Sequence, residues 1–305
     1  MHLFPFAEIL FLGATLASAR LIERQAPANV YKGSGWIETI AIRSNGDILV
    51  NHLDKPELWS LDAATQSATK LISFPGAAST SGITEYAPDK FAVVTGNFST
   101  TNIGYTSGTW GVWKVDLSGA TLKSTLVKEV PESDFWIGAT PFNNDTIFIA
   151  EAGKGAIYKM TISTGDYSMI LQDPTMKAPN GSLISEGIHG IVYTGGYVYY
   201  SNTFGSGFYK VKIDPATGKT TGAVIPVVAA SAISNPEGFT FGPDGSAYVC
   251  AVGTNTIVKV TADGKITTIS PASGCSSVAF GRTNKDNSTL YISTNGGAVL
   301  STVIS

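Results

Sequence analysis

The stretch Gly187–Asn202, GIHGIVYTGGYVYYSN, spells out a β-hairpin. An apolar run leads into Gly195-Gly196, and Tyr197, Val198, Tyr199 and Tyr200 follow. A two-residue glycine turn between β-formers is a strong hairpin signal, because glycine takes positive φ at little cost. A histidine, His189, stands near the start of the first strand, and Asn202 closes the second. The same layout recurs along the chain with different residues at those two points.

Six segments repeat one pattern of four short strands joined by tight turns: Trp36–Phe74, Thr80–Val130, Asp134–Gln172, Ser185–Ala229, Asn235–Ser270 and Ser273–Ser305. Asn45-Gly46, Asp244-Gly245 and Asp263-Gly264 mark turns flanked by alternating apolar residues. A spacing of roughly 40–55 residues fits a propeller blade of four strands. The expected fold is therefore all-β, a six-bladed β-propeller of four-stranded antiparallel blades. The last unit offers only three strands, and Asn29-Val30-Tyr31-Lys32 precedes the first. An N-terminal strand that completes the last blade would close the ring and leave no open edge.

The composition agrees. Hydrophobic residues make up 43% and charged residues 14% of 305, with 33 glycines, the profile of a well-buried β protein. A net charge of −3 without a Lys/Arg cluster argues against nucleic acid as a partner. Residues 1–19, ending Ala17-Ser18-Ala19, read as a signal peptide. Residues 20–28 read as a leader, residues 29–305 as a single propeller, and no stable membrane anchor is expected. The expected location is the secretory pathway, secreted or vesicular. On that route the sequons at Asn97, Asn144, Asn180 and Asn287 are glycosylation candidates, and Cys250 and Cys275 a candidate disulfide.

In a propeller the innermost strands line a central channel, and the loops leading into them open on one face. Aligning the six units puts Glu38, Ser81, Ile137, His189, Glu237 and Ser276 at equivalent positions. Two carboxylates and an imidazole would converge on the axis. That set suits a divalent ion, acid–base chemistry on an organic substrate, or plain hydrogen bonding to the backbone. Trp36, Phe98, Tyr105, Trp110, Phe135, Trp136 and Phe204 fall near the same mouth, and Asn51 and Asn202 end second strands there. Trp36, Tyr105, Trp136, Asn51, Asn202 and Phe204 are the candidate substrate-binding residues. The sequence has no G-x-S-x-G elbow, phosphate loop or H-E-x-x-H.

The runs WIETIAIRSNGDILVNHLDKPELWSLD, PDKFAVVTGNFS, GIHGIVYTGGYVYYSNT, PEGFTFGPDGSAYV and VAFGRTNKDNSTLYIST resemble the fungal branch of the SMP-30/gluconolactonase-like propellers. In the lactonase members a Glu, two Asn and an Asp hold a divalent metal. Glu38 matches that Glu, His189 replaces one Asn, Glu237 replaces the Asp, and Ile137 stands near where the other Asn would be. Within the fungal branch the chain is similar to the hetero-Diels–Alderases of tropolone–sesquiterpene pathways. That resemblance implies a pericyclase that joins a tropolone-type ortho-quinone methide to a humulene-derived alkene without a cofactor. Its partners would be small polyketide and terpenoid molecules, with Glu38, His189 and Glu237 as catalytic groups. The alternatives are a lactonase-like hydrolase with a residual metal on those three residues, or a secreted ligand-binding propeller without catalysis.

Overall fold

The computed structural model describes residues 26–304. The expected signal peptide, residues 1–19, and most of the leader lie outside the described residues. Each sequence unit folds as one four-stranded antiparallel sheet, and the six sheets form the blades of a propeller. The innermost strands are Ile37–Ile42, Ser79–Ala87, Trp136–Asn143, Ile188–Thr194, Pro236–Phe241 and Cys275–Phe280, for blades 1 to 6. Each packs against the innermost strands of both neighbours, so the ring is closed. Ala28–Lys32 pairs with Ala298–Val303 and supplies the outer strand of blade 6, which joins the two ends of the described chain. No helix among the described residues is long and apolar enough to cross a membrane.

Local sequence explains the strands. In the opening hairpin, Thr194 faces Tyr197 across Gly195 and Gly196. These glycines have φ of 59° and 80°, the two positive values that a type I′ turn demands. Second strands such as Ile48–His52 and Ala247–Ala251 are buried along their whole length, because neighbouring blades cover both faces. Outer strands such as Ser67–Ser73 alternate or face solvent. Between blades, Trp110, Trp136, Phe148, Tyr200 and Phe208 are all fully buried. Each such side chain contributes about 2–3 kcal/mol of hydrophobic stabilisation.

Cys250 and Cys275 are both free and buried, which corrects the expected disulfide. They pack as small apolar groups with Tyr248, Ile257, Leu290 and Ile292 between blades 5 and 6. Of the four sequons, Asn144, Asn180 and Asn287 are exposed, whereas Asn97 is half-buried and its Oδ1 accepts the Ala78 amide at 2.9 Å.

Candidate active site

The pairing of each innermost strand with its neighbour slips by one residue at the same height. In blade 1, Ile37 faces His52 and Ile40 faces Val50, so Glu38 and Thr39 together oppose Asn51. The same bulge holds Ser81-Gly82, Ile137-Gly138, His189-Gly190 and Glu237-Gly238 in blades 2 to 5. In blade 6 the extra residue is Ser276. A bulge re-aims the side chain it carries, and this one sets the six aligned residues at one height around the channel, where Glu38, Ile137, His189 and Ser276 line it. The glycines follow from closeness: a Cβ on Gly138 would lie 2.4 Å from the His189 carbonyl oxygen, and one on Gly190 2.6 Å from that of Glu237.

Glu38, His189 and Glu237 do converge. His189 Nε2 lies 3.2 Å from Glu38 Oε1. That oxygen is buried and has no aligned hydrogen-bond donor, so the contact is an ion pair without a directed bond. A fourth group, absent from the aligned positions, joins them. Glu186, three residues before His189, places Oε1 3.6 Å from the same Nε2. Glu186 sits on the strap between blades 3 and 4, which is why a reading of strand starts overlooked it. The only sequence signal was its i, i+3 spacing to the histidine.

Burial alone would lower the His189 pKa, but contact with Glu38 and the charges of Glu237 and Glu186 prevail and hold it up at about 9. Burial pushes the Glu186 carboxyl up to about 7, against the pull of His189. Glu237 is also pushed well above the usual carboxylate range, mainly by burial. It is partly open to the channel, yet its carboxyl lies deep within the ring. The arrangement therefore offers an imidazolium beside two carboxyls that favour their neutral, proton-donating form. Below them the channel has a volume of about 210 Å³ and runs past Ile83, Ile191 and Val278 to Glu85.

Above them stands an aromatic wall. Phe135 stacks on Phe98 at 5.4 Å and on Tyr105 at 5.1 Å, and Trp36 meets Phe98 edge-on at 6.3 Å. The long loop after the second strand of blade 2 is pinned here as a small hairpin, Phe98–Ser99 with Gly104–Tyr105. The Tyr105 hydroxyl faces Ser185 on the strap and feels the nearby charge of Glu186. Trp36, Tyr105 and Phe204 are half-buried and stay accessible at this face.

Three expected substrate-binding residues are not available. Trp136 is fully buried and packs on Tyr158 and Tyr167 of its own blade. Asn51 is spent on the fold: its Oδ1 accepts the Thr39 amide and its Nδ2 donates to the Ser81 carbonyl. Asn202 likewise donates to the carbonyls of Thr175 and Lys177 and accepts from Gly205. Both amides end second strands, where the repeat leads one to expect mouth groups. The ring consumes them to tie blades and loops together.

The resemblance implies a divalent ion, and the donor set fits one. Ligand atoms of Glu186, His189 and Glu237 lie within 4.8 Å of one another, a spacing that one small cation bridges. Glu38 supplies a buried oxygen without a donor beside the same imidazole. Binding would require His189 to lose its Nε2 proton.

The SMP-30/Gluconolactonase/LRE-like region family matches residues 40–296. A Phoma sp. protein named "Putative hetero-Diels-Alderase" is 27% identical over 303 residues, covering 85% of this chain and 83% of that protein. A second protein of similar name, from Sarocladium schorii, is 22% identical over 250 residues, covering 70% of this chain and 60% of its own length. Among solved structures, a Bacteroides thetaiotaomicron protein of unknown function superposes with a TM-score of 0.68 at 12% identity, over 91% of this chain and 72% of that one. At that identity the likeness is one of fold.

Proposed function

This chain belongs to the SMP-30/gluconolactonase/LRE-like family, and from that premise we propose that it is a hetero-Diels–Alderase of fungal natural-product assembly. Its substrates would be a tropolone-type ortho-quinone methide and a humulene-derived sesquiterpene, and the expected secretory route belongs to the same reading. The observation that carries it is the convergence of His189 with Glu38, Glu186 and Glu237 at the foot of an aromatic wall. The likeness to the two proteins bearing that name supports it.

The chemistry follows from these side chains. In a hetero-Diels–Alder coupling two bonds form together, no electrons are gained or lost, and negative charge grows on the heterodiene oxygen. Preorganised donors aimed at that oxygen lower the barrier most. His189 and the protonated carboxyls of Glu186 and Glu237 are such donors, and Glu38 holds the imidazolium in place. Trp36 and Tyr105, backed by the buried rings of Phe98 and Phe135, offer apolar surface for the alkene, which removes the entropy of bringing two molecules together. A channel of about 210 Å³ is smaller than ordinary small-molecule pockets. The coupling would therefore occur at the mouth, with only the polar head reaching the cluster. No redox cofactor is needed for this balance.

A second reading, a metal-dependent hydrolase, is favoured by the ligand spacing of Glu186, His189 and Glu237. Those residues, with Glu38 beside them, would hold the ion. When bound, such an ion polarises a substrate oxygen as a Lewis acid. The deciding experiment incubates the full chain with quinone-methide precursor and humulene-type alkene, with and without a chelator. Enantioenriched cycloadduct that persists in chelator supports the pericyclase. Lactone hydrolysis that chelator abolishes, with no cycloadduct above background, favours the hydrolase.

A further inference from the structure

The turns that join first to second strands lie at the opposite end of the ring from the aromatic wall. A second cavity opens among those of blades 1, 2, 3 and 6. Its volume is about 540 Å³, within the ordinary range of small-molecule pockets, about 300–1,000 Å³. Tyr86, Pro88 and Phe142 give it apolar walls, and Glu85 and Arg282 a polar side. Arg282 pairs with Glu85 and donates to the Ile42 carbonyl at 2.9 Å. Glu85 also lines the axial channel, so this cavity sits at the channel's lower end.

Asn144 lines the same cavity, and it begins the sequon Asn144-Asp145-Thr146. The turn that presents it is well held. Asn143 faces Thr146 across it, and Phe142 bulges from the strand just before. The Asp145 amide donates to Asn143 Oδ1 at 3.0 Å, and the Ser163 amide to Asp145 Oδ1 at 2.9 Å. Phe142, two residues before Asn144, turns to the same cavity and is half-buried, as is Tyr86. The other sequons differ. Asn97 is spent on the Ala78 amide, and Asn180 and Asn287, though exposed, do not line this cavity.

We propose that Asn144 carries an N-linked glycan whose first N-acetylglucosamine seats in this cavity, with its ring on Phe142 and Tyr86 and its hydroxyl and acetamide groups toward Glu85 and Arg282. The donor is a lipid-diphosphate-linked oligosaccharide of the secretory lumen. Its bond from sugar C1 to the diphosphate oxygen breaks, a bond from C1 to Asn144 Nδ2 forms, and the displaced amide proton leaves with the lipid diphosphate. The apolar face of a pyranose packs on an aromatic ring, while its polar edge needs hydrogen-bonding partners. A turn already fixed by its own hydrogen bonds leaves little freedom to be lost when the sugar docks. The inference rests on the secretory route and is independent of the catalytic reading.

The test expresses the full chain in a eukaryotic secretory host behind a heterologous signal, so that every sequon meets the transferase whatever the chain's own leader does. An endoglycosidase trims each glycan to one N-acetylglucosamine, and peptide masses locate the sugars. Asn144 should carry one, and the trimmed protein should melt about 3 °C above Asn144→Gln from the same host. With Phe142→Leu, which keeps apolar bulk but loses the flat ring, that gap should shrink to about 1 °C or less. Tyr86→Leu makes the same comparison from the other wall. Each gap is a difference within one background, so the contacts that Phe142 also makes with Phe148 and Tyr193 cancel. A bare Asn144 in the folded, secreted protein overturns the proposal, as does a sugar there that leaves the melting midpoint unchanged. A gap that survives both ring replacements overturns the seat. A parallel culture uses the chain's own N-terminus, and a bare Asn144 in that culture alone overturns the secretory route and with it the natural modification.

Discussion

Two histidines on the same face of the ring end up in opposite states. His189 begins the innermost strand of blade 4, and His52 ends the second strand of blade 1. Both are buried. His52 packs edge-on against Trp59 at 6.2 Å, and its Nδ1 lies 3.7 Å from Asp54. Burial, reinforced by Lys55, outweighs Asp54 and pushes its pKa down to about 4. At His189 the same burial loses to Glu38, Glu237 and Glu186, and the pKa stands at about 9. Desolvation always disfavours the imidazolium. What differs is the number of carboxyls the fold delivers, so position in the ring makes one histidine a charged donor and the other a neutral wedge.

The sharpest way to break this contrast is to delete each ring in turn. His189→Ala should slow cycloadduct formation about 100-fold, the scale of losing one preorganised donor, measured as initial rate and enantiomeric excess. His52→Ala should leave that rate within about twofold and only lower the melting midpoint. Equal losses of rate would mean that the carboxyl cluster does not set function.

Stability against pH, followed in chelator by denaturant titration, sharpens the contrast further. His189 and Glu186 have raised folded values, so their contributions are complete below the unfolded values. They are lost as pH rises, from about 4.5 to 7 for Glu186 and from about 6.5 to 9 for His189. His52 has a lowered folded value, so stability falls as pH drops from about 6.5 to 4. Each histidine limb is worth at most about 3.5 kcal/mol, given roughly 1.4 kcal/mol per unit. His189→Gln should flatten the alkaline limb alone and His52→Gln the acid limb alone.

A milder perturbation is Glu38→Gln, which keeps shape and removes charge. The His189 resonance should titrate about one unit lower by NMR; no movement would show that Glu186 and Glu237 suffice. The smallest effect is expected for Tyr105→Phe, which removes the hydroxyl facing Ser185. It should cost about 1 kcal/mol or less and speed hydrogen exchange in residues 173–187 while leaving the rest of the ring unchanged.

Much of this was legible in the chain. The Gly195-Gly196 turn, the six repeats, the closing strand and the six aligned positions all rest on local chemistry: turn residues, alternation and count. The convergence of Glu38, His189 and Glu237 follows from that alignment, because equivalent positions in a ring share an axis. Glu186 was not legible, since it reaches the cluster from a strap without a repeat to align it. Asn51, Asn202 and Trp136 looked like mouth residues because their partners are remote in sequence: Ser81 for the first, Thr175 and Lys177 for the second, Tyr158 and Tyr167 for the third.

By itself, then, the sequence determined the blade, the number of blades and how the ring closes, because strand alternation and turn geometry are written within a few residues. Only the tertiary structure decided which polar groups are spent on the seams and which are left facing the axis. It also decided which of two buried histidines keeps its proton. Those outcomes depend on desolvation and on charges brought together from blades far apart in the chain, and neither quantity exists until the ring has closed.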